Sequence, residues 1–224
     1  MNELINADFS RRVVIDTNHL PWVPSPQAGV ERRMLDRIGG ETARATSLVR
    51  YAPDCVFPAH GHQLGEEFLV LKGVFSDEHG DYPAGTYVRN PPGSRHSPRT
   101  RQGCTILVKL RQMLPGEHAR VVIDTTQTEW RQGECPGHSR QLLYSAGSQG
   151  EQVTMERLTA ETRCTEVSWL GGEEIFVLTG ELEDEHGTYR AGTWARSPPG
   201  YRRSFASRGG VAYWAKRGHL SVVP

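Results

Sequence analysis

Residues 12–17 read RVVIDT, and the same six letters return at 120–125. Nothing else in the sequence limits the fold as strongly, because a duplicated stretch implies one unit built twice. A tryptophan follows five residues after each copy, Trp22 and Trp130. Further along, EEFLVLKG (66–73) is answered by EEIFVLTG (173–180), and DEHGDYPAGTYVRNPPG (77–93) by DEHGTYRAGTWARSPPG (184–200). The offset is 108 at the first anchor and 107 at the later ones. Two copies of so long a period make a duplicated domain rather than a solenoid. The expected division is residues 1–115 and 116–224, at Pro115-Gly116, which breaks the pattern.

Each unit reads as all-β. In EEFLVLKGVF, Phe68 and Val70 carry apolar groups on one parity and Leu69 and Leu71 on the other, the pattern of a strand buried on both faces. DEHG followed by PAGTY or RAGTW predicts a hairpin, and PPG a further turn. CTILVKL after His96 predicts another strand. No segment sustains a helical apolar period for three turns; VERRMLDRI (30–38) comes nearest and does not reach it.

Composition narrows the function classes. The chain has 26 basic and 26 acidic residues, interspersed, so no nucleic-acid partner is expected. No apolar run approaches the ~18 residues of a spanning helix, so no membrane association is expected. Glu3, Asp8, Arg11 and Arg12 interrupt the start of the chain, which does not read as a signal peptide, and the expected location is cytoplasmic. Cys55, Cys104, Cys135 and Cys164 form no C-x-x-C pair and are expected to be reduced, mostly buried thiols.

One constellation carries chemistry. His60 and His62 in FPAHGHQLGEEF are two apart, so on a strand they share a face. Glu66 follows on the same parity, and His96 lies just past the Pro91-Pro92-Gly93 turn. Glu67 is the alternative carboxylate, but its parity points it away. Four such groups in an apolar interior each lose hydration worth a few kcal/mol (~1–3) unless partnered, and a divalent cation partners all of them. The other histidines, His19, His79, His118, His138, His186 and His219, sit in turn-like or exposed contexts and receive no role.

These spacings resemble the cupin superfamily. H-x-H-x3-E-x6-G runs from His60 through Glu66 to Gly73, and Gly85, Pro91, Gly93 and His96 match the second motif. The leading glycine of the first motif and the closing asparagine of the second are replaced by Asp54 and Thr100. FSDEHGDYPAGTYVRNPPGSRH and GCTILVKL further resemble the ChrR-type cupins, which occur in zinc-dependent anti-sigma factors and also alone. The resemblance implies two tandem jelly-roll barrels, a bicupin, with a divalent metal held by His60, His62, Glu66 and His96. Zinc is the first expectation; iron, manganese or nickel suit the same donors. The helical anti-sigma domain is not expected in residues 1–12, and no H-x3-C-x2-C occurs, so sigma-factor binding is not carried over.

In the second copy His60, His62 and His96 become Val167, Trp169 and Arg203, and Glu173 alone remains. That unit is expected to be a degenerate cupin in which Arg203 pairs with Glu173. Two functional readings follow. The first is a sensing or binding module for a small molecule or an oxidant, since three neutral imidazoles and one carboxylate leave a divalent site at formal charge +1, which favours an anion. The alternative is an iron, manganese or nickel dioxygenase acting on diketone-like substrates. No separate acid–base pair is evident for it. A homodimer is compatible with either.

Overall fold

The structure is a computed structural model that describes residues 3–114, 116–147 and 150–220. Among these, regular structure is β throughout, apart from one turn of 3-10 helix at Thr17–His19. VERRMLDRI is part of the ten-residue strand Val30–Gly39. No helix among the described residues is long and apolar enough to cross a membrane.

Each copy builds the same two-sheeted barrel. In the first, antiparallel strands run in the order Glu3–Ile5, Val30–Gly39, Ala43–Tyr51, Cys104–Leu110, Glu66–Asp77, Thr86–Asn90 and Val121–Asp124. The second repeats this with Arg131–Gln132, His138–Ser145, Gln152–Leu158, Val211–Arg217, Glu173–Asp184, Thr193–Ser197 and Val13–Asp16. The twelve-residue strands Glu66–Asp77 and Glu173–Asp184 begin in one sheet and end in the other. Gly73 and Gly180 make that passage. Both have positive φ, 75° and 71°, and a Cβ would lie 2.0 Å from the Gly103 carbonyl oxygen in one and 2.1 Å from that of Gly210 in the other. Only glycine lets the two backbones approach so closely. The cores form where the sheets face each other, around Phe68, Phe75 and Ile106 in one unit and Ile175, Val177 and Phe205 in the other.

The compact units exchange one segment across the expected division at 115/116. One compact unit holds Met1–Ala7 with Pro21–Gln127, the other Asp8–Leu20 with Thr128–Pro224. The first RVVIDT strand pairs with Thr193–Ser197, and the second with Thr86–Asn90. Sequence repeat and folded unit are therefore out of phase. The two strands are identical in sequence, so either edge offers either strand the same local pairing. The second follows only ten residues after Leu110, which keeps it beside the barrel just completed. Pro115, expected at the boundary, lies outside the described residues.

Candidate metal centre

His60–His62 pairs antiparallel with Ser94–His96, in a register that puts His96 opposite His60. Directly opposed and alternate residues share a face, so three imidazoles project together. Their ring centroids stand 4.8, 4.9 and 5.0 Å apart. One ring nitrogen from each lies within 4.8 Å of the others. Glu66, at the start of its long strand, brings Oε2 to 3.5 Å from His62 Nε2 and 3.4 Å from His96 Nε2. His62, Glu66 and His96 are buried and His60 is half-buried. Glu67 takes the other face, where it accepts hydrogen bonds from Tyr87 and Arg89.

The neighbours set which nitrogens point inward. His60 Nδ1 lies 3.0 Å from the Pro58 carbonyl oxygen, which can only accept, so Nδ1 carries the proton and Nε2 is left as a lone pair. His96 Nδ1 stands 3.3 Å from Asp77 Oδ2. Burial would raise the Asp77 carboxyl, but bonds from His96, the His79 N–H and the Tyr82 hydroxyl overcome it and hold it at about 2, so it is an ionised acceptor. For His96, burial is the largest influence and opposes the charged form, but the Asp77 bond and the charges of Glu66, Asp77 and Glu78 together outweigh it and raise its pKa; for His62, burial dominates and lowers it. Asn90 donates to Glu66 Oε2 at 3.1 Å, and Arg120 donates to Asn90 Oδ1 at 3.2 Å and to the Tyr82 hydroxyl at 2.5 Å.

These residues fit a divalent ion. His62 Nε2 and His96 Nε2 lie 3.0 Å apart with a carboxylate oxygen beside both, an inward-facing set dominated by acceptors. One cation satisfies all of it. The hydrogen bonds to Pro58 and Asp77 are the outer contacts that orient metal-ligating histidines. A cavity of about 260 Å³ opens on the cluster, walled by Val49, Tyr51, Phe57 and Ile106 and flanked by Arg32 and Arg111.

Sequence reasoning missed Asp77, Asn90 and Arg120. A signal existed for two of them, because Asp77 and Arg120 are duplicated as Asp184 and Arg12. In the second unit Arg12 donates to the Tyr189 hydroxyl at 2.5 Å and pairs with Asp184 at 3.2 Å. The RVVIDT arginine thus braces the same hairpin in both barrels.

Arg203 and Glu173 meet as expected, Nε and Nη2 lying 3.1 and 2.8 Å from Oε2. The network extends beyond the sequence reading. Arg217 Nε donates to Glu173 Oε1 at 2.9 Å, and its other arm reaches Glu156. Its guanidinium also stacks 4.2 Å from the Trp169 ring, the counterpart of His62. Two guanidinium groups and two carboxylates fill this interior.

Two expectations are overturned here. His138 and His219 are not exposed: His138 lies 2.5 Å from Glu156 Oε2 and His219 3.0 Å from Glu174 Oε1, both buried. The four cysteines are not all free: Cys135 and Cys164 form a disulfide, while Cys55 and Cys104 are free and buried. These partners are brought together from different strands, and no local spacing announced them.

A family model described as the ChrR Cupin-like domain matches residues 10–114 and again 118–221. Among solved structures, a candidate dioxygenase of Nostoc punctiforme is 16% identical, with 96% of this chain and 85% of that one covered at a TM-score of 0.78. Protein Ylba of E. coli is 13% identical, covering 100% and 96% at 0.71. Oxalate decarboxylase of Bacillus subtilis, a protein with Mn(II) centres, is 12% identical, covering 92% and 76% at 0.64. At these identities the likeness is one of fold. No curated protein matches the sequence.

Proposed function

The chain belongs to the ChrR cupin-like family and is a bicupin, and from that premise we propose that its first barrel binds one divalent metal ion, zinc, and uses it to sense a small anionic molecule or oxidant. The observation that carries this is the convergence of His60, His62 and His96 with Glu66 on a cavity that also holds Arg111 and the Arg32–Glu41 pair. When bound, the ion would supply a positive charge in the wall of that cavity. The chain's own residues do the rest. Asp77 and the Pro58 carbonyl hold two imidazoles with Nε2 inward. Asn90 steadies the carboxylate. Val49, Tyr51, Phe57 and Ile106 give the cavity apolar walls, so the ligand pairs an anionic head with a small apolar body.

The family of the Bacillus protein with Mn(II) centres keeps the enzyme reading in view. Beside the donors the cavity is lined by the titratable Glu41 and Tyr51, and Glu41 is paired with Arg32 at 3.2 Å. Elemental analysis of chain purified without added metal tests the first claim. One zinc per chain, lost in His62→Ala, is expected; a chain that takes up no divalent ion would overturn it. Titration of the loaded protein with short carboxylates, followed by calorimetry, tests the second, and saturable heat that disappears in the metal-free protein is the expected result. Oxygen uptake by an iron-loaded sample given a diketone would replace sensing with catalysis.

A further inference from the structure

The second barrel holds a separate cluster of donor groups. Cys135, His138 and Cys164 each offer one ligand atom, and these atoms lie within 4.8 Å of one another. Cys135 lies in the loop before His138–Ser145, His138 opens that strand, and Cys164 lies on Thr162–Ser168. His138 and Cys164 are buried and Cys135 is half-buried.

The duplication supplies an internal control. Strand pairing aligns Val30 opposite Tyr51 with His138 opposite Leu158, and Arg32 opposite Val49 with Arg140 opposite Glu156. His138 and Glu156 therefore stand where the first barrel has Val30 and Val49, and by the same offset Cys164 stands where it has Phe57. Val30 and Val49 belong to the first core, with Phe57 packed against it. Three apolar positions of one barrel are thus two donors and a carboxylate in the other. Packing alone does not call for that exchange, since buried polar groups cost stability unless partnered.

The histidine is already oriented. Glu156 accepts from Thr154 at 2.7 Å and pairs with Arg217, and its other oxygen lies 2.5 Å from His138 Nε2. With the Arg217 guanidinium and the Thr154 hydroxyl on one oxygen, the Glu156 carboxylate accepts the His138 Nε2–H hydrogen bond on the other. Nδ1 is left with a lone pair, which accepts the Glu134 N–H at 2.9 Å, one residue from Cys135. A carboxylate on one imidazole nitrogen fixes the ring with the other as acceptor, the arrangement that supports histidine as a metal ligand once an ion takes the place of the Glu134 N–H.

We propose that Cys135, Cys164 and His138 form a second metal site, for a thiophilic divalent ion such as zinc, opened by reduction of the disulfide. The disulfide seen in the structure is the closed form. A small thiol opens it by exchange: the S–S bond breaks, two Cys–SH groups form, and two thiol molecules leave as their own disulfide. Binding then exchanges two thiol protons for the ion, with two thiolates and the imidazole as donors. The site is independent of the first barrel's metal.

Cobalt(II) distinguishes the two sites, because only thiolate ligation gives an intense sulfur-to-cobalt charge-transfer absorption. The full chain, reduced and freed of small thiol under argon, should bind two cobalt ions and show that band. The same chain with the disulfide intact should bind one and lack it, a comparison that needs no mutation. A His62→Ala/His96→Ala chain should keep the band while losing the other ion, and Cys164→Ser should lose the band alone. A fully reduced chain with four titratable thiols and no charge-transfer band would overturn the proposal, whether or not the first site loads.

Discussion

Replacing Glu173 by glutamine removes one charge from a sealed network, and the structure sets the size of the effect. Arg203 directs both Nε and Nη2 at Glu173 Oε2, at 3.1 and 2.8 Å, whereas Arg217 also has Glu156. Glu173→Gln therefore leaves Arg203 without its carboxylate in a place where it is 5% exposed. Breaking a buried pair by removing one partner costs about 3–5 kcal/mol. The glutamine carbonyl still accepts one bond, so the expected loss is near ~3 kcal/mol. For a unit of about 100 residues that lowers the unfolding midpoint by roughly 12–24 °C. The sign with pH is fixed as well. Burial raises the Glu173 carboxyl, but Arg203 and Arg217 together hold it below its ordinary 4.5. A depressed carboxyl stabilises the fold above the unfolded value and loses that contribution as pH falls through the folded value. Wild type and variant should therefore differ most near neutrality and converge in acid. Tryptophan fluorescence during urea unfolding reads the right barrel, since Trp130, Trp169, Trp194 and Trp214 lie in the second unit and Trp22 in the first. The matching Glu66→Gln change should cost under ~1 kcal/mol in metal-free protein, because Glu66 faces imidazoles and Asn90, not a fixed cation. A Glu173→Gln chain within ~1 kcal/mol of wild type near neutrality would refute the claim that this carboxylate holds Arg203 in the interior.

Asp77→Asn should weaken first-barrel metal binding by roughly 10–100-fold with far-UV circular dichroism unchanged, measured by competition with a chromogenic chelator. Metal at about 100 times its dissociation constant should stabilise the first barrel by ~2.7 kcal/mol and leave the second unmoved; equal shifts in both, seen by differential scanning calorimetry with and without chelator, would contradict a single-barrel site. Gly73→Ala should destabilise by more than ~2 kcal/mol in chemical unfolding, because its Cβ would meet the Gly103 carbonyl oxygen at 2.0 Å. Gly93→Ala, with φ 84° but nothing within 4 Å, should cost only about 1 kcal/mol.

The duplication, the all-β character and the convergence of three imidazoles with a carboxylate were legible in the residues themselves, because each rests on short-range rules. Side chains two apart on a strand share a face, so His60, His62 and Glu66 could be placed together and Glu67 turned away before any strand was paired. A motif glycine such as Gly73 marks a position where a side chain has no room, and the sequence records it even though the obstructing carbonyl is thirty residues distant. The Arg203–Glu173 pair was legible by substitution, since a lone buried carboxylate needs a counter-charge and an arginine stands at the counterpart of His96.

What only the tertiary structure decided is which of several equivalent partners each group takes. Identical RVVIDT strands carry no information about which barrel they close; connection length and chain path settle that. Asp77 reaches His96, Arg217 joins Glu173 to Glu156, and Cys135 meets Cys164 only because strands distant in sequence are brought side by side. Buried polar groups must be partnered, but the requirement does not name the partner: the sequence states the demand, and only the packed sheets supply the address.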